Sequence, residues 1–416
     1  MHRMFVKIKI GYPAIGFVIG CALLISGCAD SRNAVPDEFL GKAQIPGMPG
    51  VRAIEGSLDR FMENSLIDAL LNEDPSCFSI SPDGTKTYSS LAISGGADNG
   101  AYGAGILKGW SKEGSRPVFK AVTGVSTGAL IAPFAFLGSA YDKDIENIYT
   151  NISTKDVVKR KSLIQSLFGN SLVSSEPLAK LISNCATDDI LKAISREHKR
   201  GRRLFIGTCA IDGPRLAIWD MGAIATLASE GNLEANKLFA KVLLASASIP
   251  VTFPPVFIDV EADGKKYTEM HVDGSTLTQV FYTYGFTRDM RTKVKDLGID
   301  TKNIRADLYI IRNGRIMPPY KVIKDRIAAI AERAIDILAD AQGVGDIYRL
   351  YAITIAKGNG FKLAYVPDDE VPQKKEFFDT QAMRELFKRG YQDAESGRAW
   401  HSSPPGWEQV IVKREE

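Results

Sequence analysis

Three stretches, far apart along the chain, carry residue types that can act together on an acyl group. The first is Gly124-Val125-Ser126-Thr127-Gly128, which has the form G-x-S-x-G. A β-rich run ends just before it and an apolar helical run, Ala129 to Leu137, follows. A serine on such a sharp strand-to-helix turn is pushed clear of the sheet, and the helix that follows aims its positive end at the same place. The second stretch runs from Ser94 through Gly95, Gly96 and Ala97 to Gly105, directly after the strand candidate Tyr88 to Ile93. A glycine-rich turn that opens a helix presents backbone N–H groups to an anion. The third is Asp273-Gly274-Ser275, at the end of the strand candidate Tyr267 to Val272. A nucleophile, a proton acceptor and donors for a tetrahedral oxyanion are what acyl transfer requires.

Each stretch has a plainer reading. A five-residue pattern with three fixed positions arises by chance, and Asp-Gly is a common turn pair. The glycine-rich loop is compatible with a dinucleotide site or an oxyanion hole. It lacks the strict G-x-G-x-x-G spacing and the acidic residue that a ribose would need, which favours the oxyanion hole. For the base, the sequence offers few histidines: His2, His198, His271 and His401. A Ser-His-acid triad would fall to His401, beside Ser402-Ser403-Pro404-Pro405. His271 shares a strand face with Asp273, where packing or solvent is its expected environment. If Asp273 takes the proton itself, partial burial would help by raising its pKa from the usual value of about 3.9.

The elements that would hold these residues alternate between strand and helix, which points to an α/β fold with a mainly parallel sheet. Expected helices cover Ser57–Leu71, with Ser57 as N-cap, then Asp142–Ile152, Asp188–Lys199, Lys237–Ala247, Asp325–Asp340 and Ile347–Lys357. Expected strands cover Leu204–Ile211, Leu216–Trp219, Leu308–Ile311 and Phe361–Val366. Leu163, Ile164, Leu167, Phe168, Leu172 and Val173 form an apolar group that suits core packing or a lid. Arg196, Lys199, Arg200, Arg202 and Arg203 suit either anionic head groups or a helix C-terminus closed by Gly201.

The loop Ser94-Gly95-Gly96-Ala97-Asp98-Asn99-Gly100-Ala101-Tyr102, the elbow at Ser126 and the late Asp273-Gly274 resemble, in order, the motifs of the patatin-like phospholipase family. Ala245-Ser246-Ala247-Ser248-Ile249-Pro250 with Phe253-Pro254-Pro255 resembles a further family segment that would line the cleft, and Asp379–Ala394 resembles its closing helix. The resemblance spans about Leu91 to Ala394. It implies a patatin-like three-layer fold and a lipid acyl hydrolase without cofactor or metal. It also implies a Ser126–Asp273 dyad, with the oxyanion hole at Gly95, Gly96 and Ala97. Two loop positions depart from the family form. Ala97 stands where a third glycine is usual, and Asn99 stands where Arg or Lys is usual. The second change removes a cation beside the hole and bears on preference for charged phosphate head groups. The rivals are an α/β-hydrolase with a His401 triad and a non-catalytic lipid-binding lipoprotein.

The 416 residues are 45% hydrophobic and 24% charged, ordinary for a globular protein, with a formal net charge of +3. Arg3, Lys7 and Lys9 account for that excess, so the rest of the chain gives no charge argument for binding nucleic acid. A basic start, an apolar stretch from Ile10 to Ile25 and Leu24-Ile25-Ser26-Gly27-Cys28 read as a secretory signal, residues 1–27. Its end resembles the bacterial lipoprotein box, which implies acylation of Cys28 and a membrane anchor in the cell envelope, with Ala29 leaning to the outer membrane. An ordinary signal peptide is the alternative. The expected layout is then a tether over 28–56, an extension over 57–86, the hydrolase domain over 87–396 and a tail over 397–416. Cys77, Cys185 and Cys209 remain after Cys21 and Cys28, allowing at most one internal disulfide. No C-x-x-C spacing suggests structural zinc.

Overall fold

The computed structural model describes residues 32–55, 60–162, 169–282, 293–298, 303–318, 320–369 and 374–407. The expected signal segment, Cys28, the N-cap Ser57 and the apolar residues Leu163 to Phe168 lie outside them. The strands are β1 (Arg52–Ile54), β2 (Ser79–Ile80), β3 (Lys86–Ile93), β4 (Phe119–Val125), β5 (Lys159–Arg160), β6 (Val173–Ser174), β7 (Arg203–Ala210), β8 (Arg215–Asp220), β9 (Val256–Ala262), β10 (Lys265–Asp273), β11 (Ile304–Arg312) and β12 (Gly360–Tyr365). Five helices matter most to the site: α1 (Gly100–Glu113), α2 (Thr127–Leu137), α3 (Leu233–Ser246), α4 (Ile327–Ala356) and α5 (Thr380–Glu395).

The central sheet runs β1-β8-β7-β4-β3-β11-β12. Its middle, β7, β4, β3, β11 and β12, is parallel throughout. Antiparallel strands extend it at the margins. β7 is buried along its whole length, and β3 and β4 are buried on both faces over their carboxyl halves, whereas β12 exposes Lys362. Helix α2 is apolar around its whole circumference and is correspondingly enclosed, with Ile131, Phe134 and Phe136 all in the core. This is the expected α/β architecture with a mainly parallel sheet between helical layers.

Several expectations need correction. Of the expected tether over 28–56, the described residues do not hang free. From Val35 onward they lie on the domain, with Ala43, Ile45, Met48 and Val51 buried and β1 paired to β8. These apolar residues sit in turns and isolated bridges rather than in one helix or strand, so they show no period to read. Arg52 is sealed in an ion pair with Glu269. The extension is also packed: Glu73 accepts hydrogen bonds from Lys86, Tyr88 and Lys120. The tail contributes buried Ala399 and a bridge from His401 to Leu363. The two helices expected over Asp325–Asp340 and Ile347–Lys357 are one helix, α4, which runs through Gly343 and Gly345. Of the apolar group near residue 172, Val173 is buried and Leu172 is exposed.

The basic group does structural work at two of its positions. Arg202 is buried and donates to the carbonyls of Phe119 (2.7 Å) and Phe136 (2.6 Å), the latter in the last turn of α2. Arg203 donates to the carbonyls of His198 and Ser65. Neither guanidinium is available to a head group. Gly201, with φ +88°, ends the helix Asp188–Lys199 as the sequence suggests.

Candidate active site

The arrangement begins with one edge of β7. Along it, β4 pairs Ala121 to Val125 with Arg203 to Gly207. Beyond that point β10 takes over, with Asp273 opposite Thr208 and His271 opposite Ala210. Two strands thus meet end to end on one neighbour. Val125 and Asp273 stand one strand position apart, about 3.3 Å along β7. Ser126, the next residue after Val125, leaves the sheet where Asp273 arrives. Gly274 makes this junction possible: a Cβ there would lie 2.6 Å from the Gly207 carbonyl and 3.0 Å from Val125. The Asp-Gly pair opens a 3-10 turn over Gly274–Thr276, capped by Asp273, and is at the same time a close approach between strands.

Ser126 sits at φ +55°, ψ −124°, a conformation that side chains other than glycine adopt only under constraint. The constraint is visible. Its N–H donates to Ser246 Oγ (3.0 Å), and Ser246 Oγ donates to the Gly207 carbonyl (2.7 Å). Ser246 closes α3 and is fully buried. The flanking glycines leave room where side chains would collide: Gly124 against the Gly128 carbonyl, and Gly128 against the Ile93 carbonyl.

Asp273 is buried. Burial pushes its carboxyl up to about 6, with the nearby Ser126 hydroxyl and the Ser275 N–H holding it from rising further. Oδ1 accepts from the Ser275 N–H (2.8 Å), while Oδ2 has no well-formed hydrogen bond among the described residues. A buried carboxylate with one unsatisfied oxygen next to a hydroxyl is suited to take a proton.

The glycine-rich loop passes beside the serine. A Cβ on Gly95 would lie 3.2 Å from Ser126 Cβ and would collide with Ser275 Oγ. The Gly95 N–H is already donated to the Gln279 carbonyl (3.0 Å), so it cannot serve an oxyanion, contrary to the sequence expectation. The N–H groups of Gly96 and Ala97 have no protein acceptor among the described residues. Gly96 has φ +152°, and a Cβ would strike the Asn313 carbonyl. Ala97 has φ +49°, left-handed backbone that explains why glycine suits this place better. Asn313 fixes the loop: its N–H donates to Ser94 Oγ (2.8 Å), its Nδ2 to the Ser94 carbonyl (2.9 Å), and its Oδ1 accepts from the Gly103 N–H (3.2 Å).

A cleft of about 600 Å³, mouth included, opens on Ser126 and Ala97. Its walls are almost wholly apolar, among them Leu130, Ile148, Leu181, Ile249, Phe253 and Phe378. Ala247, Ile249 and Phe253 come from the Ala245–Pro255 segment, which lines the cleft as expected.

Neither described late-chain histidine reaches the serine. His271 is sealed in a chain of bonds. Trp219 Nε1 donates to Thr208 Oγ1 (2.8 Å), which faces His271 Nδ1 (2.9 Å), and His271 Nε2 faces Glu269 (3.0 Å). Both ring nitrogens are taken, and burial pushes the ring toward its neutral form. His401 pairs with Leu363 on the outer side of β12, four strand spacings from β4, or roughly 19 Å. It lines a different depression, with Tyr102, Tyr365 and Arg389. Among the described residues no cluster of His, Cys, Asp and Glu could hold a metal ion. Cys77, Cys185 and Cys209 are buried and unpaired.

Sequence reading missed Ser246 as the anchor of the elbow, Asn313 as the loop clamp, and Lys374. The last donates to Asn99 Oδ1 and Asp98 Oδ1, both at 2.7 Å. Ser246 was within a recognised segment, and Asn313 follows a strand end. Nothing local marks Lys374.

Residues 91–282 match the family model described as patatin-like phospholipase. Among solved structures the chain is similar to VipD from Legionella pneumophila, at 10% identity and a TM-score of 0.35, over 78% of this chain and 70% of that one. It is also similar to a complex of full-length SpcU with full-length ExoU from Pseudomonas aeruginosa, at 11% identity and a TM-score of 0.27, over 80% of this chain and 58% of that one. No curated protein matches it. The family match, not these distant likenesses, is the informative one, and it covers residues 91–282, a little under half of the 416-residue chain.

Proposed function

We propose that the protein is a serine lipid acyl hydrolase that works through a Ser126–Asp273 dyad and an acyl-enzyme. The observation that carries this reading is the end-to-end meeting of β4 and β10 on β7, which delivers an acid of raised pKa to the side of a strained serine. Asp273 accepts the hydroxyl proton as Ser126 Oγ bonds to the ester carbonyl carbon. The oxyanion that forms is held by the N–H groups of Gly96 and Ala97. Collapse expels the alcohol, which takes the proton from Asp273. Water then repeats the sequence on the acyl-enzyme, returning the fatty acid and the free serine. The apolar cleft suits an acyl chain, and the dyad needs no metal or cofactor. Hydrolysis of phospholipid and lysophospholipid vesicles by wild type, Ser126→Ala and Asp273→Asn tests this. Loss of fatty-acid release in both variants supports the dyad; full release by either contradicts it.

The same reading includes a cell-envelope location through acylated Cys28, supported by the sequence around that residue. Incorporation of labelled palmitate that disappears in Cys28→Ser tests it. Unchanged incorporation in that variant contradicts it.

A further inference from the structure

Helix α4 has 30 residues and so is about 45 Å long, whereas β12, which follows it, has 6 residues and spans about 20 Å. The helix enters from the carboxyl end of β11, where Ile311 is level with Ile93 and Ile93 with Gly124. That is the edge from which Ser126 emerges. Asp340 ties the helix to the end of β11, accepting from Arg312 Nη2 (3.1 Å). Packing continues through Asp346, which accepts from the Gln279 N–H and the Thr278 hydroxyl (both 2.8 Å), and through Ile347 and Leu350 in the core. The preceding turns therefore stand beyond the catalytic edge of the sheet.

These turns carry an ordered apolar stripe. Ile327, Ile330, Ala331, Ala334, Ile335 and Leu338 recur at helical spacing on one face, and all are exposed, Ile327 at 89%, Ile335 at 61% and Leu338 at 70%. Arg333, Asp336 and Asp340 fall on the opposite face. The approach to the helix adds Met317 (67% exposed), Tyr320 (93%) and Val322 (78%). Between Met317 and Ala331 the charged residues are Lys321, Lys324, Asp325 and Arg326, a net positive rim. An apolar face with basic and aromatic flanks matches a helix that lies in a lipid interface. Among the described residues no helix is long and apolar enough to cross a membrane, so this one would lie on the surface rather than span it. A parallel two-fold pairing of copies through the stripe would set the basic rims against each other.

We propose that Tyr320–Leu338, together with Met317, is a lipid-docking element that seats the carboxyl edge of the sheet, and with it the Ser126 cleft, on an anionic bilayer. The proposal rests on the lipid-hydrolase reading and adds how the enzyme meets its substrate. An environment-sensitive fluorophore at Ile335→Cys in the full chain tests it locally, whatever else anchors the protein. Vesicles of phosphatidylcholine with phosphatidylglycerol should raise and blue-shift its emission, and the same label at Asp336→Cys should stay unchanged. Ile330→Asp with Leu338→Asp should lose at least about tenfold in vesicle hydrolysis, while the rate on a water-soluble short-chain ester is retained. An unresponsive label at residue 335 overturns the proposal. So does a response that follows protein concentration without vesicles, which would identify a second copy as the occupant. Undiminished vesicle hydrolysis in the double variant overturns it as well. Absence of ester turnover in wild type would count against the hydrolase reading, while the fluorophore would still report docking.

Discussion

The Lys374 ammonium donates to Asn99 Oδ1 at 2.7 Å across 275 positions of sequence. Asn99 stands where the resemblance leads one to expect a cation, and a cation is there, supplied from another part of the chain. It also satisfies Asp98, whose carboxyl is buried and pushed up by that burial. Lys374→Ala should leave a buried acid without its partner and loosen the loop. With Lys374 partly exposed, the cost is about 1–2 kcal/mol of stability, and turnover should fall. Asn99→Arg in the Lys374→Ala background should recover activity by restoring a cation. Denaturant unfolding and ester kinetics on the single and double variants check this; a double variant no better than Lys374→Ala contradicts it.

Asp273 gives a pH dependence with a definite sign. As base it must be ionised, so kcat/KM should rise with pH to a plateau, half-way at about pH 6. A flat profile from pH 5 to 8 would count against Asp273 as the base.

The same group should cost stability. Its folded pKa is raised from 3.8 to about 6, so the folded protein keeps a proton that the unfolded chain releases. Stability is then full below about pH 4 and falls as pH rises through 6, by about 3 kcal/mol. Asp273→Asn cannot ionise. It should be more stable than wild type at pH 8 by an amount of that order, with the advantage gone at pH 4. Equal differences at both pH values in chemical unfolding would contradict the assignment.

Ser246 tests the elbow. Ser246→Ala removes the acceptor of the Ser126 N–H and leaves it buried, at a cost of about 1–3 kcal/mol. Because Ser246 holds Ser126 rather than substrate, kcat should fall more than KM changes. A variant with altered KM and intact kcat would argue for a substrate contact instead.

Ala97 and Gly96 separate strain from space in the oxyanion loop. Ala97→Gly relieves left-handed backbone at φ +49° and should stabilise by about 1 kcal/mol with activity kept. Gly96→Ala drives a methyl into the Asn313 carbonyl and should abolish activity. Thermal unfolding with ester assays distinguishes the two.

Much of this was legible in the sequence because the residues obey local rules. Gly124 to Gly128 mark a turn, and the apolar run after them marks the buried helix α2. What escaped reading depends on contacts between distant segments. Gly95 looks like its neighbour Gly96, yet only register reveals that its N–H is spent on Gln279. Val35 to Val51 lie along β8, β9 and β10 without any period that would announce it. The Asp-Gly pair at 273–274 opens the turn that its signature announces, but that it also lets two strands meet is set by distant residues. Lys374 has no local pattern, since its role is set by where another loop left a cation out.

The central claim is that Asp273 activates Ser126, and covalent labelling tests it most directly. Wild type treated with a fluorophosphonate should carry one adduct, located by peptide mass spectrometry on Ser126, and Asp273→Asn should label at least about a hundredfold more slowly. An adduct on another residue, or an undiminished labelling rate in Asp273→Asn, would contradict the account.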